Sequence, residues 1–120
     1  MKPIYSNKLI KIELEPSEIP WLKIFSQEPY KEFSEAPAEV RMEILRVMEI
    51  IEREMLLFFK PTKINLASFG NYMPHLHWHV MARFEEDSYY PEPMWGSKQR
   101  EGSYLLEGME AFIVLLQSKL

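Results

Sequence analysis

Lys63-Ile64-Asn65-Leu66-Ala67-Ser68-Phe69-Gly70-Asn71, then Pro74-His75-Leu76-His77-Trp78-His79-Val80 and on to Phe84, is the stretch on which the architecture turns. Ile64 and Leu66 alternate with Asn65 and Ala67, which is the two-residue period of a strand over Lys63 to Phe69. Gly70-Asn71 is a turn signal. His75 to Phe84 alternates again and predicts a second strand, so the two form a hairpin. On that second strand alternate side chains share a face. His75, His77 and His79 therefore line up on one side, and Leu76, Trp78 and Val80 point to the other, where a helix can bury them.

Working outward, Pro61 stops the element before the hairpin. Val40, Ile44, Val47, Ile51, Met55 and Phe58 step by three or four residues and predict an amphipathic helix over Ala38 to Phe58. Ser34 is placed to cap its start, with Pro37 in the first turn. Ile4 to Leu14 reads as a strand, with Ile10, Ile12 and Leu14 alternating with Lys11 and Glu13. Pro16 and Pro20 bracket a turn, and Trp21 to Phe25 alternates as another strand. After the hairpin, Glu85 to Ser88 is a polar loop, and Pro91 and Pro93 suggest an extended stretch. Leu105, Leu106, Met109, Phe112, Ile113 and Leu116 predict a helix over Ser103 to Ser118. The order is strand, strand, helix, strand, strand, helix. Short turns between neighbouring strands favour an antiparallel sheet, hence an α+β domain.

The whole chain of 120 residues fits one domain, and 47% hydrophobic residues supply a core. There is no cysteine, which removes thiolate catalysis and disulfides. The net charge is −4, with no run of Lys or Arg, so no basic stripe for nucleic acid is expected. The longest apolar run, Met55 to Phe59, is far short of the ~20 residues a membrane span needs. Lys2, Lys8 and Lys11 are not followed by an apolar signal segment. The expectation is a soluble, cytoplasmic protein that binds neither membrane nor nucleic acid. Its eight methionines, several of them on the long helix, read as core filler.

Three chemistries fit the histidine row. A metal site is one, but at ~3.3 Å per residue His75 and His79 stand ~13 Å apart at Cα, far for one ion. Further ligands would have to come from glutamates or the sole aspartate, Asp87. Nucleophilic catalysis is another: neutral imidazole attacks well, and a second imidazole can donate a proton or bind phosphate. Asn65, Asn71 and the backbone around Gly70 to Tyr72 would be brought nearby by the hairpin. The third is a plain row of histidines on an exposed sheet face.

The run His75-Leu76-His77-Trp78-His79-Val80-Met81, with the Asn65 to Asn71 segment before it, closely resembles the histidine triad (HIT) signature, in which three histidines alternate with hydrophobic residues. Arg83-Phe84 and Pro93-Met94-Trp95 resemble the bacterial branch described as diadenosine tetraphosphate hydrolase-like. The strong match runs from about Lys63 to Gly96. The resemblance implies a five-stranded antiparallel sheet, a long central helix, a C-terminal helix and commonly a homodimer. It implies that His77 attacks the α-phosphorus of an AMP-containing nucleotide, such as a dinucleoside polyphosphate or nucleoside phosphoramidate. Water then releases the monophosphate, and no cofactor or metal takes part. His79 would bind phosphate or assist the leaving group, and His75 would support the network. Asn65, Gly70, Asn71 and Tyr72 would contact phosphate and ribose, and the base would lie near Leu14.

Arg83 reads either as a ligand for a distal phosphate or as a solvated strand end. Trp95 reads as a lid, a subunit contact or a core residue. Lys98 and Arg100 read as phosphate-neutralising groups or as a solvated loop. Some features depart from the family pattern. Pro29 stands where many relatives have a histidine before a pair like Lys31-Glu32, and Ala82 replaces a proline. The N-terminal cysteine pair of some relatives, with its zinc, has no counterpart. A pocket that binds nucleotide with little turnover is the alternative function.

Overall fold

The computed structural model describes residues 3–120, so Lys2 lies outside it. Five strands, β1 (Tyr5–Ser6), β2 (Ile10–Leu14), β3 (Trp21–Ser26), β4 (Lys63–Ala67) and β5 (His77–Arg83), form one sheet in the order β1-β2-β3-β5-β4. Every neighbouring pair is antiparallel. Helix α1 (Ala38–Phe59) connects β3 to β4, and α2 (Met109–Lys119) ends the chain. The fold is α+β, as the pattern predicts.

The fifth strand arises because Ile4 to Leu14 folds back on itself instead of running straight. Asn7 makes the turn. Its side-chain oxygen accepts from the N–H of Leu9 at 2.9 Å and of Ile10 at 3.0 Å, and its amide donates to Glu43 of α1 at 2.7 Å. A short polar side chain replaces the ladder partner the strand would have needed.

One face of the sheet belongs to α1. Ile10, Ile12, Leu22, Ile24, Ile64, Val80 and Ala82 are buried against Val40, Ile44, Val47, Ile51 and Met55 of the helix. Each of these Val, Leu, Ile and Met side chains stabilises by about 1.5–3 kcal/mol on burial, and Ala82 by less. The helix starts differently from expectation. Ser34 makes no cap; it sits in a separate 3₁₀ turn (Phe33–Glu35), and Pro37 is the N-cap. At the other end Lys60 takes a left-handed conformation, φ 50°, and Pro61 follows.

The C-terminal helix starts at Met109, more than one full turn later than the predicted Ser103, and runs to Lys119. Residues 103–107 belong to no helix or strand, and Leu105 is exposed. Gly108 is the helix N-cap, whose φ of +76° suits glycine, and a Cβ there would lie 3.2 Å from the Phe58 ring. Phe112 then packs on Phe58 and Phe59.

The other sheet face carries the histidines and is partly roofed by the segment after β5, where Asp87 meets Arg83 and Trp95 meets His79. That segment is not extended as its prolines suggest. It makes turns closed by Glu92 N–H to Tyr89 O and Gly96 N–H to Pro93 O, both at 2.8 Å.

Candidate active site

Register decides which side chains meet the histidines. Phe25 pairs with His77, Lys23 with His79 and Trp21 with Met81 on one side of β5, while Ala67 pairs with His79 on the other. Paired residues of an antiparallel sheet share a face. His77 and His79 are thus enclosed by Phe25, Lys23 and Trp21 from β3, with Phe69 and Trp95 above. Leu14 pairs with Leu22 on the opposite, helix-facing side. It cannot hold a base beside the triad, and that expectation is corrected.

His77 and His79 are both buried, their rings 5.0 Å apart and steeply inclined. His75 lies just before β5, half-buried against Phe25. Each ring has one nitrogen tied down. His77 Nδ1 meets the His75 carbonyl at 2.7 Å. A carbonyl only accepts, so Nδ1 carries the proton and Nε2 keeps a free lone pair. Phe25 stacks on this ring at 4.9 Å and holds its plane. His75 Nε2 donates to the Ser26 carbonyl at 2.7 Å. His79 Nδ1 accepts from Trp21 Nε1 at 3.0 Å. Burial, then the neighbouring His77 and Lys23, push His79 down to about 4, with Glu15 opposing weakly.

A cavity of about 430 Å³ opens over His77 and His79. That is large enough for a small organic ligand. Gly70, Asn71 and Tyr72 line it, and Gly70 turns the chain with φ +78°. Tyr72 is fully exposed at the rim. Lys23 also lines it, a cation that sequence reading passed over as a site residue. It is paired to Glu15 at 2.8 Å and stands beside His79. The alternation Trp21/Lys23/Phe25 put it on one face with Phe25, but only the β3–β5 register puts that face next to the triad. Trp95 is a cavity wall, half exposed, with its ring 4.8 Å from His79, 5.2 Å from Trp21 and 4.7 Å from Phe69.

Asn65 and Arg83 are not brought to this cavity. Arg83 is 1% exposed, neither solvated nor free for a distal phosphate. Its Nε and Nη2 donate to Asp87 at 3.0 and 3.1 Å, and its Nη1 to Asn65 Oδ1 at 2.9 Å. Asn65 lines a separate cavity of about 340 Å³ on the far side of Phe69 and Trp95. Burial works to raise the Asp87 carboxyl. The Arg83 guanidinium and the N–H groups of Phe84, Tyr90 and Tyr89 outweigh it and hold the carboxyl below its usual range. Asp87 thereby anchors the segment that carries Trp95. Arg100 helps, donating to the carbonyls of Asp87 and Tyr90 at 2.8 and 2.6 Å, while Lys98 pairs with Glu101. Pro29, where relatives place a histidine, is exposed in the loop after β3.

Two imidazoles side by side, one offering a lone pair and one an N–H donor, are matched to attack on and stabilisation of a phosphoryl group. A family model of the HIT domain matches residues 8–86. The chain belongs to the HIT domain family. That family includes nucleotide hydrolases and transferases, and HIT proteins bind nucleotides.

A histidine triad protein of Bradyrhizobium japonicum is 26% identical, with a TM-score of 0.81 over 98% of this chain and 89% of that one. A HIT protein of Sinorhizobium meliloti is 27% identical, with a TM-score of 0.79 over 98% and 88%. A hypothetical histidine triad nucleotide-binding protein of Sulfolobus tokodaii, 16% identical with a TM-score of 0.61 over 97% and 78%, shares the fold. No curated protein matches the chain. Among the described residues, no three His, Asp or Glu side chains cluster to hold a metal ion, and no helix is long and apolar enough to cross a membrane.

Proposed function

We propose that this HIT domain, taken as residues 1–120, is a nucleotide hydrolase or nucleotidyl transferase with His77 as nucleophile. The observation that carries the proposal is the bond from His77 Nδ1 to the His75 carbonyl at 2.7 Å. It leaves Nε2 bare and gives the ring a place to share the positive charge that develops on attack. The Nε2 lone pair bonds to the α-phosphorus, and the bond from phosphorus to the leaving group breaks. The leaving group takes its electron pair. His79 Nε2–H donates to a phosphate or leaving-group oxygen, and Lys23 offsets the charge of the phosphate. Water then attacks the nucleotidyl-imidazole, a proton is lost to solvent, and the nucleoside monophosphate and His77 are released. No step needs a metal or cofactor.

Asn71 and the Gly70 and Tyr72 backbone are suited to hold phosphate and ribose, with Phe25, Phe69 and Trp95 offering apolar surface to a base. The substrate class we favour is AMP-containing dinucleoside polyphosphates or phosphoramidates, as in the diadenosine tetraphosphate hydrolase-like branch. A cytoplasmic setting, where such nucleotides occur, belongs to the same reading. So does a homodimer: β4 is a sheet edge, and its exposed Leu66 shares a shallow groove with Leu45 of α1, a surface a second copy would cover.

The test is turnover of diadenosine tetraphosphate and an adenosine phosphoramidate by wild type and His77→Ala, with chelator present. AMP release lost in the variant is the expected result. AMP binding without release would favour the binding module, and activity only without chelator would replace this mechanism with a metal-dependent one.

A further inference from the structure

Trp21 and Trp95 both meet the His79 ring edge-on, at 5.7 and 4.8 Å between centroids. They differ in what the indole nitrogen does. Trp21 Nε1–H donates to His79 Nδ1 at 3.0 Å, while among the described residues no hydrogen bond joins Trp95 to that ring. An indole nitrogen has a hydrogen to give and no lone pair to accept with. His79 Nδ1 must therefore be bare, and the proton of the neutral ring sits on Nε2.

We propose that Trp21 is a positioning residue whose indole N–H holds His79 as the Nε2–H tautomer and aims that hydrogen into the triad cavity. The catalytic meaning of this assignment rests on the nucleotidyl-transfer reading above; its geometry does not.

The alternative tautomer would turn a lone pair toward the phosphate oxygens and repel them. A protonated ring would set N–H against N–H at Trp21. The indole therefore opposes the cation as well as the wrong tautomer. The charged and titratable groups facing His79 act with it. His77 stands beside it on β5, Lys23 opposite on β3, and Glu15 follows β2 and pairs with Lys23. Ala67 on β4, Phe69 and Trp95 bring no charge. Burial together with these groups takes His79 down to about 4. At neutral pH the cavity thus holds a neutral donor, fixed in direction, next to the His77 ring. A donor that does not have to reorient when charge develops is worth more than one that does.

The experiment is nitrogen-15 NMR of the full chain, following the imidazole nitrogens from about pH 8 down to about pH 5. It is made on wild type, Trp21→Phe and Trp95→Phe, with steady-state kinetics on each. Both variants trim the aromatic wall, but only the first removes the donor.

In wild type, His79 should keep a pyridine-like Nδ1 and a pyrrole-like Nε2 throughout, with a scalar coupling between His79 Nδ1 and Trp21 Nε1. In Trp21→Phe its titration midpoint should move up toward the ordinary histidine value, and kcat should fall about tenfold with a smaller change in KM. In Trp95→Phe the tautomer should hold and KM should carry the larger change. A protonated Nδ1 in wild type, or a His79 titration in Trp21→Phe no different from that in Trp95→Phe, would overturn the proposal. Should Trp21→Phe fail to fold, the wild-type coupling alone decides. The expected tautomer in an enzyme that releases no AMP would count against the nucleotidyl-transfer reading and leave the role of Trp21 in setting the tautomer standing. AMP release with the opposite tautomer would do the reverse.

Discussion

His79 and Arg83 stand on the same face of β5, two alternations apart, and their surroundings have opposite designs. Around Arg83 the guanidinium donates to Asp87 and Asn65, and Asp87 also accepts three backbone N–H groups. Around His77 and His79 each ring has one nitrogen engaged and the other turned to a cavity. In the first arrangement every guanidinium nitrogen already has a protein partner. The second fixes direction and tautomer while keeping one reactive atom free. The number of unmet valences, not the residue type, separates scaffold from site along one strand.

Four changes would break or sharpen that contrast. The largest effect is expected for His77→Ala, which should lower turnover on the order of a thousandfold or more with little change in melting temperature. Unchanged turnover would erase the contrast at its active end.

Next is Asp87→Ala. Removing one partner of a buried pair strands the other, so stability should fall by about 3–5 kcal/mol in urea denaturation. A loss under about 1 kcal/mol would mean that Arg83 finds another partner.

Third, acid should act on the two ends in separate windows. His79 is depressed from 6.5 to about 4, so the unfolded chain takes up the proton first. Its contribution to stability is complete above the ordinary histidine value and is lost as pH falls toward about 4. Asp87 is also depressed, so its contribution persists until pH falls below the ordinary carboxylate value of about 3.9, and is lost only through its lower folded value. Melting curves of His79→Gln should lack the upper loss and keep the lower one. Identical curves for wild type and variant would contradict the assignment.

The smallest effect is expected for Asn65→Ala. One hydrogen bond to a buried guanidinium goes, at a cost of about 1.5–3 kcal/mol, and KM should change less than about twofold. A large rise in KM would restore Asn65 to the substrate site that the resemblance implied for it.

Much of this architecture is readable in the chain because periodicity is local. The α1 heptad-like spacing predicts Ala38 to Phe58, and the helix runs one residue further. The alternation in Lys63 to Phe84 predicts the hairpin and puts the histidines on one face. What sequence reading misses depends on partners distant in the chain or on single side chains that redirect the backbone. Asn7 bends a run that reads as one strand, and Gly108 delays a helix that its apolar spacing starts earlier. Arg83 looks like a surface arginine until Asp87, four residues on, is seen to fold back onto it; the spacing Arg83 to Asp87 was the available signal. Lys23 and Trp21 join the site only through the pairing of β3 with β5, about fifty-eight residues apart.

The central claim is that His77 Nε2 bonds to phosphorus. The measurement that meets it most directly is a rapid alkaline quench of wild type turning over diadenosine tetraphosphate, followed by peptide mass spectrometry. The account predicts an AMP adduct on His77, absent from His77→Ala. An adduct on His75 or His79, or AMP release with no adduct at any time point, would contradict it.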